Sequence, residues 1–574
     1  MNMSISAAAA GSAERPVPAA APRSMRTTVW GLALWLAGPG NLPLWHRVLS
    51  LGDSLAHRVE LVVSLGVLIT GVIAALLSLL SWPRVLRPVA TALVLAAVFN
   101  SYFMWQYGVV IDATMLTNVV NTNAREVGEL LSWSLLFTLL LLGGPVLWWL
   151  WHRPLAIRGW VPQTGRNALG LALALGLVMS SAFIGYQGLA SLMRNNKDLR
   201  YMVNPLNSVY AAGRLATREA TAMGRVLQPV GADARLGASY TAQARPPLLV
   251  LVVGETARAK NWGLNGYARP TTPALARWQA QGDLVNYSDV SPCGTSTEVS
   301  LPCMFSPLTR KEGGDAPATQ ESLLDVLQRA GLAVLWLDNQ SGCKGVCDRV
   351  PHAPANDPPE PNLCEAGECF DEVMLWRLDQ RIAALDPQRR ARGVVLVMHQ
   401  IGSHGPTYHK RAPAQHKPFM PECVSKTLAA CPPDQLVNAY DNTIAYTDHF
   451  LDRTLSWLQT QSTNGSYDTG LIYVSDHGES LGENGLYLHG VPFAFAPKEQ
   501  IHVPMVTWLS PGLQQRTGVR TDCLRARSAL PVSHDHLFHT VLGVMDISTQ
   551  VRQGALDLLA PCSAQNLVMA KPAD

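Results

Sequence analysis

The sequence predicts a bundle of five transmembrane helices followed by an α/β domain, which has a mostly parallel sheet covered by helices and is rich in disulfides. Three observations lead to this prediction. Five long apolar runs occupy the first third of the 574 residues. The second half alternates short apolar segments with helical patterns, and it contains all 10 cysteines. A chain of this length is also too long for one ordinary domain.

The five apolar runs carry almost no charge, and most approach the roughly 20 residues that a membrane-spanning helix needs. The first run is the weakest, because Gly38, Pro39 and Gly40 interrupt it. Buried helices of a soluble core are the alternative, but five such runs in succession are rare outside membranes. No convincing signal-peptide cleavage site follows the first run. The runs cover residues 29–45, 59–82, 89–109, 130–151 and 168–188.

Arginine is concentrated in alternate loops between these runs, and the loop after the third run is acidic on balance. Positively charged loops remain in the cytoplasm. We therefore expect a cytoplasmic N-terminus, and five spans then place everything after about Gly188 on the external side. The arginines are Arg15, Arg23, Arg26, Arg84, Arg87, Arg153, Arg158 and Arg166.

The cysteines are even in number and mostly closely spaced, which is typical of disulfides in an oxidising compartment. A zinc ribbon built on Cys343, Cys347, Cys364 and Cys369 is the alternative, but it needs a reducing compartment. Pairing between neighbours predicts the disulfides Cys293–Cys303, Cys343–Cys347, Cys364–Cys369, Cys423–Cys431 and Cys523–Cys562. The net charge of +3 and the pI of about 8.3 do not indicate nucleic acid as a partner.

Four domains follow from these patterns: a disordered leader over 1–27, a membrane domain over 28–188, a linker with amphipathic helices over 189–245, and a globular domain over 246–574. Strands alternating with helices predict a parallel sheet covered on both faces. Ligands of such sheets lie beyond the carboxyl ends of the strands. The predicted strands are 248–253, 333–337, 394–398 and 471–474, and helical patterns include 321–330, 370–385 and 438–459.

Chemically active side chains follow three of these strands. They are Glu255 after the first, His399 and His404 after the third, and Asp476, His477 and His489 after the fourth. Oxygen and imidazole ligands without thiolate fit catalytic zinc, with manganese second. A single strand-end acid could instead cap the next helix.

A candidate nucleophile lies in residues 291–306, "SPCGTSTEVSLPCMFS", where Cys293 and Cys303 could close a loop. Coordination to a divalent cation lowers the pKa of a hydroxyl and makes it a nucleophile. A helix beginning near Thr297 would add amide dipoles for an incoming phosphate. The alternative is that these hydroxyls only cap the helix. The hydroxyl residues are Thr295, Ser296, Thr297 and Ser300.

Seven sequence motifs follow one another along the chain. They are "VVGETAR" (252–258), "GYARPTTP" (266–273), "CGTST...LPCMFS" (293–306), "CKGVCDRVP" (343–351), "HQIGSHGP" (399–406), "NAYDNTIAYTDHFL" (438–451) and "VSDHGESLGENGLYLHG" (474–490). These motifs resemble those of the membrane-anchored phosphoethanolamine transferases that modify lipid A, the EptA and mobile-colistin-resistance type of the alkaline phosphatase/sulfatase superfamily. The resemblance covers nearly the whole chain.

The resemblance implies that Thr297 is the nucleophile that becomes modified by phosphoethanolamine. Glu255, Thr297, Asp476 and His477 match the Zn²⁺ ligands of the family, which hold one tight zinc ion. His399, His404 and His489 match histidines that bind a second zinc, the phosphate or the substrate, and Lys344 matches a lysine near the phosphate. His404 or His489 could protonate the leaving oxygen.

The resemblance also implies a bacterial inner-membrane protein with a periplasmic catalytic domain, working as a monomer. Its donor would be phosphatidylethanolamine and its acceptor a lipid A phosphate. The added amine would lower susceptibility to polymyxin and other cationic peptides. We expect 111–130 and 201–206 to form walls of a lipid groove.

Other functions remain open at this point. Glu298 stands where we expect a small neutral residue, which leaves the lipopolysaccharide core sugar as an alternative acceptor. A sulfatase would need a C/S-x-P-x-R pattern, and none surrounds Thr297. A glycerol-phosphate transferase of the lipoteichoic type and a silent membrane sensor are further alternatives. His534, His536 and His539 suggest a further metal site, but a helix start with surface histidines is the expected structure.

Overall fold

The structure is a computed structural model, and it describes residues 21–51, 55–121, 127–128, 130–196, 198–222, 227–313, 319–357, 360, 362–365 and 368–563. Residues 1–20 of the predicted leader lie outside this range. The chain divides into two compact units, which are described separately. The first comprises the chain up to Phe99 together with Leu136–Asn196 and Val203–Pro205, and the second comprises Asn100–Leu135, Lys197–Met202 and Leu206–Asp574.

Four helices among the described residues are long and apolar enough to cross a membrane: Arg58–Leu79, Leu86–Tyr107, Trp133–His152 and Trp160–Ile184. The predicted first span is not one continuous helix. It is divided into the helices Met25–Ala37 and Leu42–Ser50 by a 3₁₀ turn at Pro39–Asn41. Proline lacks an N–H group and glycine favours non-helical backbone, so the Gly-Pro-Gly sequence ends the first helix.

The helices Arg58–Leu79 and Trp160–Ile184 pack antiparallel. The Ser181 hydroxyl donates to the Ser64 carbonyl at 2.6 Å, and the Gln163 amide donates to the Ser81 carbonyl at 2.9 Å. A Cβ atom at Gly71 would lie 2.7 Å from Val178, so only glycine permits this close approach. Small residues and interhelical hydrogen bonds are the usual means of helix association in membranes.

A seven-stranded sheet forms the centre of the second unit. Its strands, in chain order, are β1 Pro247–Gly254, β2 Leu284–Tyr287, β3 Ala333–Asp338, β4 His352–Pro354, β5 Val394–His399, β6 Asp468–Ser475 and β7 Met505–Leu509. The spatial order is β2-β7-β6-β1-β5-β3-β4. The four predicted strands correspond to β1, β3, β5 and β6.

The sheet is mixed, so the prediction of a mostly parallel sheet is wrong. β7 runs antiparallel to β6, and β2 runs antiparallel to β7. The reason lies in the connection after β6. Residues 476–504 contain only short elements, and Met505 pairs with Val474, so the chain returns to the edge at which β6 ends. A parallel pairing needs a crossover that returns the chain to the opposite edge, so β7 starts where β6 ends and runs back.

Alternate residues of the central strands face two separate cores. In β1, Leu249, Leu251 and Val253 face one core, and Leu248, Val250 and Val252 face the other. Both faces are buried, which explains why the strand is a continuous apolar run. Helices Leu323–Arg329 and Leu537–Val544 cover the first face, and Pro273–Gln281 and Pro433–Thr463 cover the second.

Most of the remaining elements among the described residues are short. The further helices are Ala113–Asn121, Tyr186–Asn195, Leu199–Met202, Leu206–Ala222, Ser239–Ala242, Thr297–Met304, Arg310–Gly313, Leu378–Ala383, Pro387–Arg390, Lys498–Ile501, Pro511–Thr517 and Thr521–Arg527. Four two-residue strand pairs are Arg235–Leu236 with Ile547–Ser548, Val290–Ser291 with Val532–Ser533, Cys364–Glu365 with Glu368–Cys369, and Ser480–Leu481 with Tyr487–Leu488.

Five disulfides cross-link this unit, and they join the neighbouring cysteines that the sequence suggests. The pairs are Cys293–Cys303, Cys343–Cys347, Cys364–Cys369, Cys423–Cys431 and Cys523–Cys562. The cysteines that could have formed a zinc ribbon are therefore occupied in disulfides.

Candidate active site

Three buried side chains meet at the carboxyl edge of the sheet. Glu255 follows β1, and Asp476 and His477 follow β6. The neighbouring strands are parallel and in register, with Gly254 opposite Ser475, so the residues after them lie side by side. One ligand atom from each of the three side chains lies within 4.8 Å of the others, and all three residues are fully buried.

The backbone around Glu255 is held in an unusual conformation. The next residue, Thr256, has a φ of +53°, which is rare for a β-branched side chain. Tyr440 donates from its hydroxyl to the Thr256 carbonyl at 2.7 Å and stabilises this turn. Gly402 has a φ of +50°, and a Cβ atom there would lie 2.7 Å from the Glu255 carbonyl oxygen. Backbone strain of this kind is concentrated at functional sites.

Hydrogen bonds also orient Asp476 and His477. Asp476 Oδ1 accepts from the backbone N–H groups of Thr256 and His477, at 3.1 and 2.8 Å, which directs Oδ2 toward the His477 ring. His477 Nδ1 lies 3.0 Å from the Gly478 carbonyl. A carbonyl only accepts, so Nδ1 carries the proton and Nε2 presents a lone pair. Nε2 lies 3.3 Å from Asp476 Oδ2 and 3.4 Å from Glu255 Oε1.

Thr297 brings a fourth side chain to this cluster. It is the first residue of the helix Thr297–Met304, and the disulfide Cys293–Cys303 ties the preceding loop to that helix. Its hydroxyl donates to Glu255 Oε2 at 2.9 Å and lies 3.4 Å from His477 Nε2. Only 8% of Thr297 is exposed, at the wall of a cavity.

These four side chains fit a divalent cation. Two buried carboxylates repel each other unless a positive charge lies between them, and burial raises the pKa of the Asp476 carboxyl. Two carboxylates, one imidazole with a free lone pair and one hydroxyl form a donor set suited to zinc. Backbone N–H groups and a backbone carbonyl fix the orientation of Asp476 and His477, as is usual for metal ligands.

His404, His489 and Lys344 lie beside Thr297 and line the same cavity. The His489 ring lies 4.4 Å from the His477 ring and 5.6 Å from the His404 ring. Burial, together with the neighbouring His489, lowers the pKa of His404 well below its usual value. His404 is therefore a neutral imidazole at neutral pH.

His399 differs from the other histidines of the predicted site. It ends β5, is fully buried, and does not line the cavity. Its Nδ1 lies 3.5 Å from Asp338 Oδ1, and its ring packs edge-on against Trp336. A substrate role for His399 stays a prediction.

Two residues near the cluster lack a role in the sequence analysis. Glu479 is fully buried, and its Oε2 accepts from His489 Nδ1 at 2.9 Å, while the Tyr408 hydroxyl donates to its Oε1 at 2.7 Å. Gln340 donates from Nε2 to Glu255 Oε2 at 2.9 Å. Glu479 directly follows Asp476-His477-Gly478, so its place near the site could have been predicted from the sequence. The sequence around Gln340 contains no such signal.

His534 also lies near the cluster. The expectation of surface histidines in 533–543 is wrong for His534 and His539, which are both buried. His534 Nδ1 accepts from the Cys293 backbone N–H at 3.1 Å, and Nε2 donates to the Ser475 carbonyl at 2.9 Å. The ring therefore connects the loop that carries Thr297 to the strand that carries Asp476.

Burial lowers the pKa of His534 from 6.5 to about 4. The unfolded chain binds this proton near pH 6.5 and the folded chain only near pH 4, so stability falls as the pH drops through that window. The loss approaches about 3 kcal/mol. We expect the thermal midpoint to decrease as the pH is lowered from about 7 to about 5. The decrease should be smaller in His534→Gln, because a glutamine side chain does not titrate. Equal pH dependence of both proteins would contradict this role.

Comparison with known proteins identifies the family of this chain. Residues 69–220 match the family model described as phosphoethanolamine transferase EptA/EptB, and residues 247–547 match the sulfatase model. The phosphoethanolamine transferase EptA of Escherichia coli strain K12 is 40% identical over 89% of this chain and 91% of its own length. The phosphatidylethanolamine transferase Mcr-1 of Escherichia coli is 37% identical over 91% of this chain and 94% of its own.

A solved structure of a related transferase matches this chain over nearly its full length. The integral membrane protein lipooligosaccharide phosphoethanolamine transferase A from Neisseria meningitidis superposes with a TM-score of 0.87 at 35% identity, covering 94% of this chain and 98% of that protein. Both units of the fold thus have a counterpart in one related protein. The chain belongs to the EptA-type phosphoethanolamine transferases, membrane enzymes whose C-terminal domain is of the sulfatase family.

Proposed function

We propose that this protein transfers phosphoethanolamine from phosphatidylethanolamine to a phosphate of lipid A through a covalent intermediate on Thr297. One observation carries the proposal. The Thr297 hydroxyl lies within 2.9 Å of Glu255 and 3.4 Å of His477, at the wall of a cavity that also contains Lys344. The relatives named above as phosphoethanolamine and phosphatidylethanolamine transferases support the same reaction.

The cavity suits a phospholipid donor. It measures about 170 Å³, and both apolar and polar side chains line it. The polar side chains beside Thr297 would hold the headgroup, and the apolar side chains would hold the glyceride part. Apolar residues in the lining include Phe103, Tyr107, Val109, Ile111, Met115, Val119 and Leu130.

Zn²⁺ is the cofactor that we assign to Glu255, Thr297, Asp476 and His477. A second zinc ion bound by His399, His404 and His489 stays a prediction. When bound, zinc acts as a Lewis acid that lowers the pKa of a hydroxyl and neutralises phosphoryl charge. Manganese is the second choice for the same donor set.

In the first half-reaction, Thr297 Oγ1 forms a bond to the donor phosphorus and the bond to the diacylglycerol oxygen breaks. Glu255 Oε2, which accepts the Thr297 hydrogen bond, is placed to take the proton. Lys344 and the N–H group of His404 would donate to the phosphoryl oxygens, where negative charge spreads in the transition state.

His489 would deliver the proton to the leaving diacylglycerol oxygen. Its Nδ1 donates to Glu479, so that carboxylate stabilises the protonated ring and directs Nε2 to the site. In the second half-reaction, the acceptor phosphate attacks the phosphorus on Thr297. The bond between phosphorus and Thr297 Oγ1 breaks, and Glu255 returns its proton to Oγ1, which restores the Thr297 hydroxyl. The neutral His489 accepts a proton from the acceptor.

We further propose a cytoplasmic N-terminus, five membrane crossings over 28–188, a linker over 189–245 and a periplasmic catalytic domain over 246–574. The backbone of Arg23 forms hydrogen bonds with Pro154 and Ala156. These residues lie at the end of the antiparallel helix pair where Gln163 donates to the Ser81 carbonyl. The helix Leu55–Leu79 starts at the other end, where Ser64 meets Ser181.

The chain therefore changes sides between Arg23 and Leu55, which supports a fifth crossing made by a broken helix. Arginines lie at the Arg23 end, which favours the cytoplasm for that side. The complete site comes from one chain, which supports a monomeric enzyme.

Mass spectrometry of lipid A and core oligosaccharide from cells that express this chain tests the proposal. One added phosphoethanolamine on lipid A is the expected result, and it should be absent with Thr297→Ala. Phosphoethanolamine added only to the core sugar would show that the core sugar is the acceptor in the same type of transfer. A zinc-loaded protein that modifies neither would refute the proposal. Each added amine reduces the negative surface charge, so binding of cationic peptides should weaken.

The apolar wall of the cavity should matter only for lipid substrates. We expect Met115→Asp to reduce diacylglycerol release from phosphatidylethanolamine vesicles by about 10-fold or more, because it places a charge where the glyceride would bind. Cleavage of a soluble phosphodiester should change less than about 2-fold, since that substrate does not need the wall. Leu308→Asp, on an exposed residue outside the cavity lining, is the matched control. Equal loss on both substrates would contradict a lipid groove.

A further inference from the structure

Glu298 immediately follows the nucleophile and lies in the first turn of the helix Thr297–Met304. Its side chain is only 19% exposed, and it lines the same cavity as Thr297 and Lys344. Its Oε2 lies 3.9 Å from Lys344 Nζ. A carboxylate and an ammonium group therefore lie next to each other on the wall beside the reacting hydroxyl.

A carboxylate in this position opposes the approach of a phosphate. Two like charges a few ångströms apart repel strongly where water is scarce. The proposed substrate, however, carries a phosphate and an ammonium group separated by only two methylene groups. A side chain that disfavours the phosphate alone can favour the whole headgroup if it binds the amine.

We propose that Glu298 binds the ammonium group of the phosphoethanolamine headgroup while Lys344 binds its phosphate, so that this pair selects the headgroup. The inference rests on the proposed function and names the residue that reads its substrate. In the absence of donor, the two side chains are near enough to neutralise each other. With donor bound, the substrate amine replaces Lys344 as the partner of Glu298, and the phosphate replaces Glu298 as the partner of Lys344.

The position of Lys344 supports this exchange. Its backbone has a φ of +50°, and the disulfide Cys343–Cys347 closes the turn around it. Its Nζ also lies 3.3 Å from Ser341 Oγ and 3.5 Å from the Ser341 carbonyl. These contacts hold the Lys344 ammonium at the wall, 3.9 Å from Glu298 rather than in a tight ion pair. Both side chains line the cavity in which the substrate would bind.

A purely structural role for Glu298 is the alternative, because an acidic side chain in the first turn stabilises a helix through its dipole. The two roles differ in what they predict for other lipids. Loss of a dipole interaction affects every donor alike. Loss of an amine-binding group affects only donors that carry an amine.

The test compares phosphatidylethanolamine with phosphatidylglycerol, which has no amine, using the full-length enzyme in vesicles. Diacylglycerol release gives kcat/KM for each lipid. For Glu298→Gln we expect a loss of about 10- to 100-fold on phosphatidylethanolamine, the range for losing a charge-assisted hydrogen bond. The rate on phosphatidylglycerol should stay the same or rise. Glu298→Asp should keep part of the preference.

Glu312→Gln is the matched control, because Glu312 is exposed and outside the cavity lining. Zinc content and thermal midpoint should be the same in all variants. An unchanged ratio of kcat/KM between the two lipids in Glu298→Gln would overturn the inference, whether both values persist or both fall by the same factor. A wild-type enzyme that releases no diacylglycerol from phosphatidylethanolamine would instead refute the proposed function, and this inference with it.

Discussion

Replacing Thr297 with valine should reduce transfer by about 10³- to 10⁶-fold, the range for loss of a covalent nucleophile. Valine has nearly the shape of threonine but lacks Oγ1, which donates to Glu255 Oε2 at 2.9 Å. The helix start and the Cys293–Cys303 disulfide should be unaffected. Diacylglycerol release and lipid A modification should therefore both be lost from a protein that folds normally.

Two control variants sharpen this prediction. Thr297→Ser keeps the hydroxyl but loses the stiff β-branched rotamer, so we expect it to retain measurable activity. Thr295→Val changes a hydroxyl in the same loop that donates to the Val491 carbonyl at 2.7 Å and does not line the cavity. It should stay far more active than Thr297→Val. If Thr297→Val kept a tenth of the wild-type rate, Thr297 would not be the nucleophile.

The second large effect is expected for Asp476→Asn. The amide oxygen of the substituted side chain would still accept from the Thr256 and His477 backbone N–H groups, so the local fold should persist. The variant loses one of the two negative charges that would hold a cation, and its metal content and activity should fall together, with activity down by about 10³-fold. Metal analysis and turnover of the purified variant measure both.

The difference in thermal midpoint between Asp476→Asn and the wild type should change sign when the metal is removed. In the wild type, a chelator should lower the midpoint, because metal bound at about 1,000 times its Kd adds about 4 kcal/mol. Without metal, the variant should be more stable than the wild type, because it no longer buries two like charges. Asp522→Asn, at an exposed residue, should respond to chelator as the wild type does. If the chelator left the thermal midpoint of the wild type unchanged, the proposal of a bound metal would be contradicted.

The strands that carry the site could be predicted because they are buried on both faces. β1 and β6 are continuous apolar runs that end at Glu255 and Asp476, so both their length and their chemical endings are visible. β7, "MVTWL", is as apolar but was not identified. Its direction depends on where residues 476–504 run, and no local pattern in the sequence records that path.

The membrane domain shows a similar limit. The Gly-Pro-Gly sequence at 38–40 was seen to weaken the first span, but hydropathy alone cannot say whether a helix bends, breaks or ends. The structure divides it into Met25–Ala37 and Leu42–Ser50.

The histidines were the least predictable part of the site. His534 was expected at the surface because its spacing resembles a helix start, yet it lies between the Cys293 loop and Ser475. The resemblance matches His399 to histidines that bind a second zinc, the phosphate or the substrate, and its side chain lies against Asp338 and Trp336. In both cases the partners are distant in the sequence, so spacing carries no information about them.

Peptide mass spectrometry of the wild-type enzyme, quenched during turnover of phosphatidylethanolamine without acceptor, tests the covalent mechanism most directly. One phosphoethanolamine group should be found on the peptide that contains Thr297, and it should disappear when lipid A is added before quenching. The same peptide from Thr297→Val should stay unmodified. An unmodified Thr297 in an enzyme that continues to transfer phosphoethanolamine at full rate would show that the donor reacts directly with the acceptor, and the covalent mechanism would be wrong.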